Sequence, residues 1–353
     1  MIRIGIVGCN YGRLVHLPAF RLDPRCEVIA LAGTDSARTA ELAHAANIPL
    51  SFGSWIDLVE HPDVDAVTIA TPPALQHAIA LRALELGKPV FAEKPMAADL
   101  QRAAAMLRAA EGSGRAAMVD FNFSAILAWR KAKLLLEQGA LGRLRHVAVN
   151  WNVENQTTRM RIGNWRAHGG DGGGVLGNFV SHSFHYIEWL CGPISGLSAR
   201  LSGLPDAPAT ETNAGVNMAL CSGASASLAV SCASYLGSGH RLEFYGEDGS
   251  LTLANETSDY MRGFELRLAQ RPATAFAKVE IGDSVDRAFP QDGRIAPVSR
   301  LAADFLDAIS QGRAGWPGFA EGYRVQTLLD TARRAHKGGC WLDVEPESGD
   351  KRA

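Results

Sequence analysis

Between residues 2 and 120, short apolar runs alternate with helix-patterned segments, and this alternation restricts the fold more than any other feature of the chain. Residues 2–7, 28–32, 64–70, 90–92 and 116–120 read as buried strands. Residues 15–22, 42–46, 78–86 and 97–110 read as helices, the last broken at Gly112-Ser113-Gly114. Strands that are apolar on both faces need cover on both faces, so the pattern predicts a doubly wound parallel sheet flanked by helices.

At 353 residues the chain exceeds one ordinary core, so a first domain over 1–120 leaves 121–353 as a second. There the pattern changes. Residues 127–138 form a helix ended by Gly139, residues 144–151 a strand, and residues 197–281 a series of short strands broken by turns such as Glu247-Asp248-Gly249. Late helices are expected over 301–310 and 320–335, and a frayed tail from residue 347. The economical assignment is an α/β domain with a large, mainly antiparallel sheet covered by helices on one face.

The formal net charge is -2, and no run of five like charges occurs. Nucleic acid and an anionic membrane surface are therefore not expected as partners. The six cysteines, at 9, 26, 191, 221, 232 and 340, form no C-x-x-C pair or zinc-like cluster. They read as reduced thiols of a cytoplasmic protein. A strand starting at Ile2 leaves no room for a signal peptide, and no 18-residue apolar stretch is present. A small, near-neutral ligand suits these features.

Gly5-Ile6-Val7-Gly8-Cys9-Asn10-Tyr11-Gly12-Arg13 lies between the first strand and first helix, where a dinucleotide pyrophosphate meets backbone N–H groups in a Rossmann domain. With Gly8 as the first fingerprint glycine, Asn10 takes the second place and Arg13 the third. Asn tolerates positive φ better than other non-glycine residues, and Gly12 offers a second flexible point. Tyr11 belongs to the same loop, and Arg13 either faces a phosphate or covers the helix start. At the end of the second strand, Gly33 stands where an acid would bind the ribose of NAD. Thr34, Ser36 and Arg38 suit the 2′-phosphate of NADP, while Asp35 would repel it. NADP is favoured over NAD.

Lys94, in Phe91-Ala92-Glu93-Lys94-Pro95, follows the strand 90–92. A lysine there points into the crevice where such sheets bind ligands. Taken alone, Glu93 and Lys94 read more simply as a solvated pair in a proline-closed loop.

Several ordered motifs resemble the Gfo/Idh/MocA oxidoreductases. They are the glycine-rich opening with His16-Leu17-Pro18-Ala19-Phe20, Thr71-Pro72-Pro73 with His77, Gly87-Lys88-Pro89 leading into Glu93-Lys94-Pro95, and Trp165-Arg166 before the run from Gly172 to His182. Phe319-Ala320-Glu321-Gly322 extends the resemblance over nearly the whole chain. It implies a Rossmann domain, a second domain for substrate binding and oligomerisation, a nicotinamide cofactor, and a homodimer or homotetramer. It also implies that Lys94 faces the substrate oxygen, that Pro95 follows a cis bond, that Thr71, Pro72 and His77 lie along the cofactor, and that Glu93 lies near the nicotinamide ribose.

Many relatives carry Asp, three residues, then His in the second-domain motif; here Asn178 replaces the Asp and His182 remains. An amide cannot stabilise an imidazolium as a carboxylate does, so Lys94 takes a larger share of the acid/base work. Helical spacing places 178, 182 and 185 on one face, with His185 along the same wall. Trp165 and Arg166 read as a substrate-pocket wall or as an aromatic with its stacked cation, and Asn122 and Ser124 as weaker candidates of the same kind. No metal is expected from His168, His182 and His185, since no carboxylate or cysteine completes the set. The leading expectation is an NAD(P)-dependent oxidoreductase acting on a sugar, sugar derivative or cyclitol. A catalytically silent cofactor-binding regulator and an NAD-dependent glycosidase are the alternatives.

Overall fold

The computed structural model describes residues 1–345 other than 161, 163, 164, 168–170, 205, 206 and 283–291; of 167 and 207–210 it describes the backbone. His168 and the tail expected from 347 lie outside the described residues. The chain divides into two compact units, Met1–Ala125 with Asp286–Gln326, and Ile126–Val285 with Thr327–Ala353.

In the first unit the described strands are β1 (Ile2–Val7), β2 (Cys26–Ala32), β3 (Leu50–Phe52), β4 (Ala66–Ile69), β5 (Val90–Ala92) and β6 (Ala117–Val119). They form a sheet in the order β3-β2-β1-β4-β5-β6 with every pairing parallel. This is the doubly wound order expected, and its direction reverses between β1 and β4. The helices are α1 (Leu17–Phe20), α2 (Ser36–Ala45), α3 (Trp55–Glu60), α4 (Pro73–Glu85) and α5 (Leu100–Ser113). Asp35, Ser54 and Asp99 start α2, α3 and α5 by accepting from backbone N–H groups of Arg38, Ile56 and Arg102. Gly112 stays inside α5, which ends at left-handed Gly114. The three-residue edge strand β3 and one-and-a-half-turn α3 have no strong sequence pattern, and both went unpredicted.

The division differs from a single boundary at 120. Helix α9 (Ile295–Gln311) returns to the first unit, because Phe305 packs its ring 6.3 Å from Phe20 and 5.7 Å from Phe91. Val298, Leu301, Ala302 and Phe305 are all fully buried in that core. The face of the sheet under α1 is closed by a helix that starts only at Ile295, which no local pattern reveals.

The second unit holds α6 (Leu127–Glu137), α7 (Gln156–Arg159) and α8 (Ser181–Cys191), with β7 (Leu144–Asn152), β8 (Ile194–Leu204), β9 (Ala207–Leu220), β10 (Ser225–Ser231), β11 (Gly239–Gly246), β12 (Gly249–Asn255), β13 (Glu265–Gln270), β14 (Ala277–Lys278) and β15 (Leu342–Asp343). These strands form one sheet in the order β14-β13-β12-β11-β7-β10-β9-β8-β15. It is antiparallel except where β7 meets β10. Val216, Met218 and Leu220 on β9 and Ala226, Leu228 and Val230 on β10 alternate inward, as a sheet with one buried face requires. Trp129 of α6 fills that face, its ring 4.8 Å from Tyr186 and 5.5 Å from His240. The last helix, α10 (Phe319–Gly338), contains the division at Gln326. Among the described residues no helix is long and apolar enough to cross a membrane.

Candidate active site

A cleft of about 480 Å³ opens at the carboxyl ends of β1, β2 and β4. Gly8 ends β1 with φ 123°, and a Cβ there would lie 2.4 Å from the carbonyl oxygen of Ala70. Only glycine lets the chain pass this close to the next strand end. The expected use of Asn10 and Gly12 is corrected: neither has positive φ. Gly12 already lies in the first helical turn, a π turn over Gly12–His16, where a Cβ would come 2.7 Å from Ile6 Cγ2. It therefore packs the helix start against β1, one residue before the third fingerprint place held by Arg13.

Of the expected cofactor residues, Gly8, Asn10, Gly33, Thr34, Arg38, Thr71 and Pro72 line the cleft; Tyr11, Gly12, Arg13, His77, Glu93 and Lys94 do not. Cys9, Ser54 and Trp55 join the wall unpredicted, and Asp35, read from the sequence as a charge against a 2′-phosphate, lines it too. At Gly33 a Cβ would meet Cys9 Sγ and Thr39 Oγ1, each at 2.6 Å. These neighbours use the room an acidic side chain would need. Asp35 Oδ1 accepts from the Arg38 N–H at 3.0 Å, turning the carboxylate to the start of α2. The glycine cradle, with backbone N–H groups at a helix start, fits a dinucleotide pyrophosphate.

Lys94 lies two residues past β5 on a turn that its neighbours hold firmly. Glu93 N–H donates to Ile69 O at 2.9 Å, continuing the sheet by one residue. Gln76, buried on α4, donates through Nε2 to Glu93 O at 3.0 Å and Pro95 O at 2.9 Å, the carbonyls on either side of Lys94. The Lys94–Pro95 bond is cis, as the resemblance implied. His77, one position along α4, is half-buried; burial and then the Arg102 charge lower its pKa.

Beside this turn lies a buried cluster that the sequence reading passed over. His16 is fully buried, its Nδ1 2.5 Å from Thr68 Oγ1 and its Nε2 3.0 Å from Glu93 Oε1. Asp120 follows β6, its N–H donating to Ala92 O at 2.8 Å, and brings Oδ2 within 3.7 Å of His16 Nε2. Tyr11 sets its ring edge-on to His16 at 5.3 Å, donates to Asp120 Oδ2 at 3.4 Å, and lies under the Arg294 guanidinium at 5.1 Å. Asn122 Nδ2 donates to the Tyr11 hydroxyl at 3.4 Å. Burial opposes a charged His16, but Asp120 and Glu93 outweigh it and lift its pKa to about 9. Burial, then the Asp120 charge, pushes Glu93 up to about 8. Asp120 was findable by the rule that singled out Lys94, since it too follows a buried parallel strand.

In the second unit, the Arg166 guanidinium lies over the Trp165 ring at 4.6 Å. The glycine run fits under that pair: at Gly173 a Cβ would fall 2.1 Å from Trp165 O, and at Gly174 the same distance from Glu211 Oε2. Asn178 Nδ2 donates to Arg166 O at 3.0 Å and Gly174 O at 2.8 Å, so the amide ties these segments together. A carboxylate could make neither bond. The helix expected to carry 178, 182 and 185 is not α-helical throughout: Asn178 lies in a π turn, Leu176–Val180, that leads into α8. His182 and His185 do share α8 and are both buried, with the Trp151 ring 6.3 Å from His182. Burial drives the His185 pKa down to about 3.

Residues 2–121 match the model of an oxidoreductase family with an NAD-binding Rossmann fold, and residues 129–252 match the GFO/IDH/MocA C-terminal domain. The chain belongs to the Gfo/Idh/MocA family of oxidoreductases. An uncharacterised oxidoreductase of Synechocystis is 32% identical over 97% of this chain and 96% of its own length. Levoglucosan dehydrogenase of Pseudarthrobacter phenanthrenivorans is 26% identical over 97% of this chain and 98% of its own. A solved levoglucosan dehydrogenase, in complex with NADH and levoglucosan, shares the fold at TM-score 0.87, covering 98% of this chain and all of that one at 24% identity. Within a Gfo/Idh/MocA chain, the cleft at β1 and β2 is the expected place for the adenosine and pyrophosphate of the nucleotide.

Proposed function

We propose that this chain transfers hydride between a nicotinamide nucleotide and a hydroxyl or carbonyl carbon of a sugar, sugar derivative or cyclitol, with Lys94 as main acid/base group and His182 assisting. The carrying observation is the position of Lys94 at the carboxyl edge of the sheet that forms the Gly8 cradle, on a turn bonded at both sides by Gln76. When bound, the nicotinamide ring supplies or accepts the hydride. The Lys94 ammonium polarises a carbonyl oxygen and hands it a proton; as the amine it takes the proton from a hydroxyl. Asn122, Trp165, Arg166 and Asn178 are assigned to substrate, the guanidinium and amides matching sugar hydroxyls. The naming of relatives for levoglucosan supports a sugar-like substrate.

NADP(H) is assigned ahead of NAD(H). Gly33 brings no acid to the cleft, Asp35 is turned to the start of α2, and Thr34 and Arg38 remain on the wall. The first unit takes the role of nucleotide binding, the second those of substrate binding and assembly as a homodimer or homotetramer. Nicotinamide absorbance over a panel of sugars and polyols, with either nucleotide, tests the reaction. Replacing Lys94 by Met should lower turnover by about 10²- to 10⁴-fold, and a smaller loss is expected from His182→Asn. Turnover that survives Lys94→Met unchanged would overturn the assignment.

A further inference from the structure

His16 Nε2, Glu93 Oε1 and Asp120 Oδ2 all lie within 4.8 Å of one another, in a place that neither the glycine cradle nor the lysine explains. Two carboxyl groups this close cannot both ionise without compensation, and the imidazole between them provides it. The residues packed around them are Thr68, Tyr11 and Phe91, with Arg294 across the Tyr11 ring and Lys94 next to Glu93 in sequence. Asp120 Oδ1 is buried and has no hydrogen-bond partner among the described residues. Glu93, whose proton affinity is raised by burial and by the Asp120 charge, holds or loses its proton according to the charge beside it.

The doubly wound sheet has two mononucleotide half-sites, one over the ends of β1, β2 and β3 and one over those of β4, β5 and β6. The cleft with Gly33 and Arg38 belongs to the first. Glu93 and Asp120, directly after β5 and β6, belong to the second, where the nicotinamide half is due. The oxidised ring carries one positive charge more than the reduced ring. We propose that the His16–Glu93–Asp120 cluster gives up a proton to solvent when the oxidised nucleotide binds and keeps it when the reduced nucleotide binds, so that pH sets the preference between the two. The bond broken is the carboxyl O–H of Glu93, the proton goes to water or buffer, and no electrons move. The elevated affinities of Glu93 and His16 for protons put the exchange near neutral to mildly alkaline pH.

This inference rests on nucleotide binding and is independent of the role given to Lys94. Calorimetric titration with NAD⁺ and with NADH, each in two buffers of different ionisation enthalpy between pH 6.5 and 9, measures the protons exchanged. The NAD pair is used because a 2′-phosphate titrates by itself near pH 6. NAD⁺ should release a substantial fraction of a proton and NADH little. The ratio of their affinities should move toward NAD⁺ with rising pH, by up to about tenfold per unit. Glu93→Gln should abolish the difference, Asp120→Asn should displace it to lower pH, and Lys94→Met should preserve it. Equal proton release by the two nucleotides, a ratio that ignores pH, or release that persists in Glu93→Gln would each overturn the proposal, as would its loss in Lys94→Met. Failure of wild type to bind either nucleotide would instead overturn the nucleotide reading itself.

Discussion

At the scale of single residues, two positions show how little freedom the site has. Gly8→Ala would put a methyl 2.4 Å from Ala70 O on a backbone at φ 123°, so nucleotide affinity should collapse in a fluorescence titration while the second unit still unfolds as in wild type. Asn178 carries a different lesson. Read from the family pattern it is a lost carboxylate; in the structure it is a donor holding Arg166 O and Gly174 O. Asn178→Asp should therefore not restore a proton relay. It should lower stability by about 0.5–1.5 kcal/mol, the net worth of a hydrogen bond at a partly exposed position, visible as a lower thermal midpoint; a midpoint at or above wild type would count against this role. Lys94 was legible because one rule about strand ends suffices to place it. Gln76 was not, since a glutamine in a helix pattern gives no sign that its amide will reach two carbonyls of a distant turn.

At the scale of elements, the alternation over residues 2–120 exposed most of the first sheet, because buried parallel strands are apolar throughout and need no partner to be recognised. What it could not show is that α9 completes that core. Phe305→Ala should cost about 3–5 kcal/mol, and the loss should appear in the unfolding of the first unit, monitored through nucleotide affinity and the cleft residue Trp55. A fragment ending at residue 120 should fail to give a cooperative transition, lacking the helix that buries Phe20 and Phe91. The π turns over Gly12–His16 and Leu176–Val180 belong to this scale too. The first ends on His16 itself, and the second leads directly into α8, which carries His182 and His185.

At the scale of the whole molecule, the two units should answer pH with opposite signs. His16 and Glu93 bind protons more tightly in the folded first unit than the ordinary values of 6.5 and 4.5. The stability they contribute is present at low pH and lost as pH rises through about 8 and 9. His185 and His240 in the second unit are both driven to about 3 by burial. Their contribution is present above about 6.5 and is lost as pH falls toward 3. Scanning calorimetry from pH 4 to 9.5, with tryptophan fluorescence reporting Trp129 and Trp151, should show the second unit weakening on the acid side and the first on the alkaline side. A uniform response, or the reverse order, would show that these groups do not govern the profile. The sequence by itself determined the doubly wound sheet, the glycine cradle, the mainly antiparallel second sheet and the place of Lys94, because periodicity, φ requirements and strand ends are local properties. Only the tertiary structure decided that α9 belongs to the first core, that Gly12 packs a helix instead of loosening a loop, and that His16, Glu93 and Asp120 meet. Those outcomes depend on contacts between segments far apart in the chain, which the order of residues does not record.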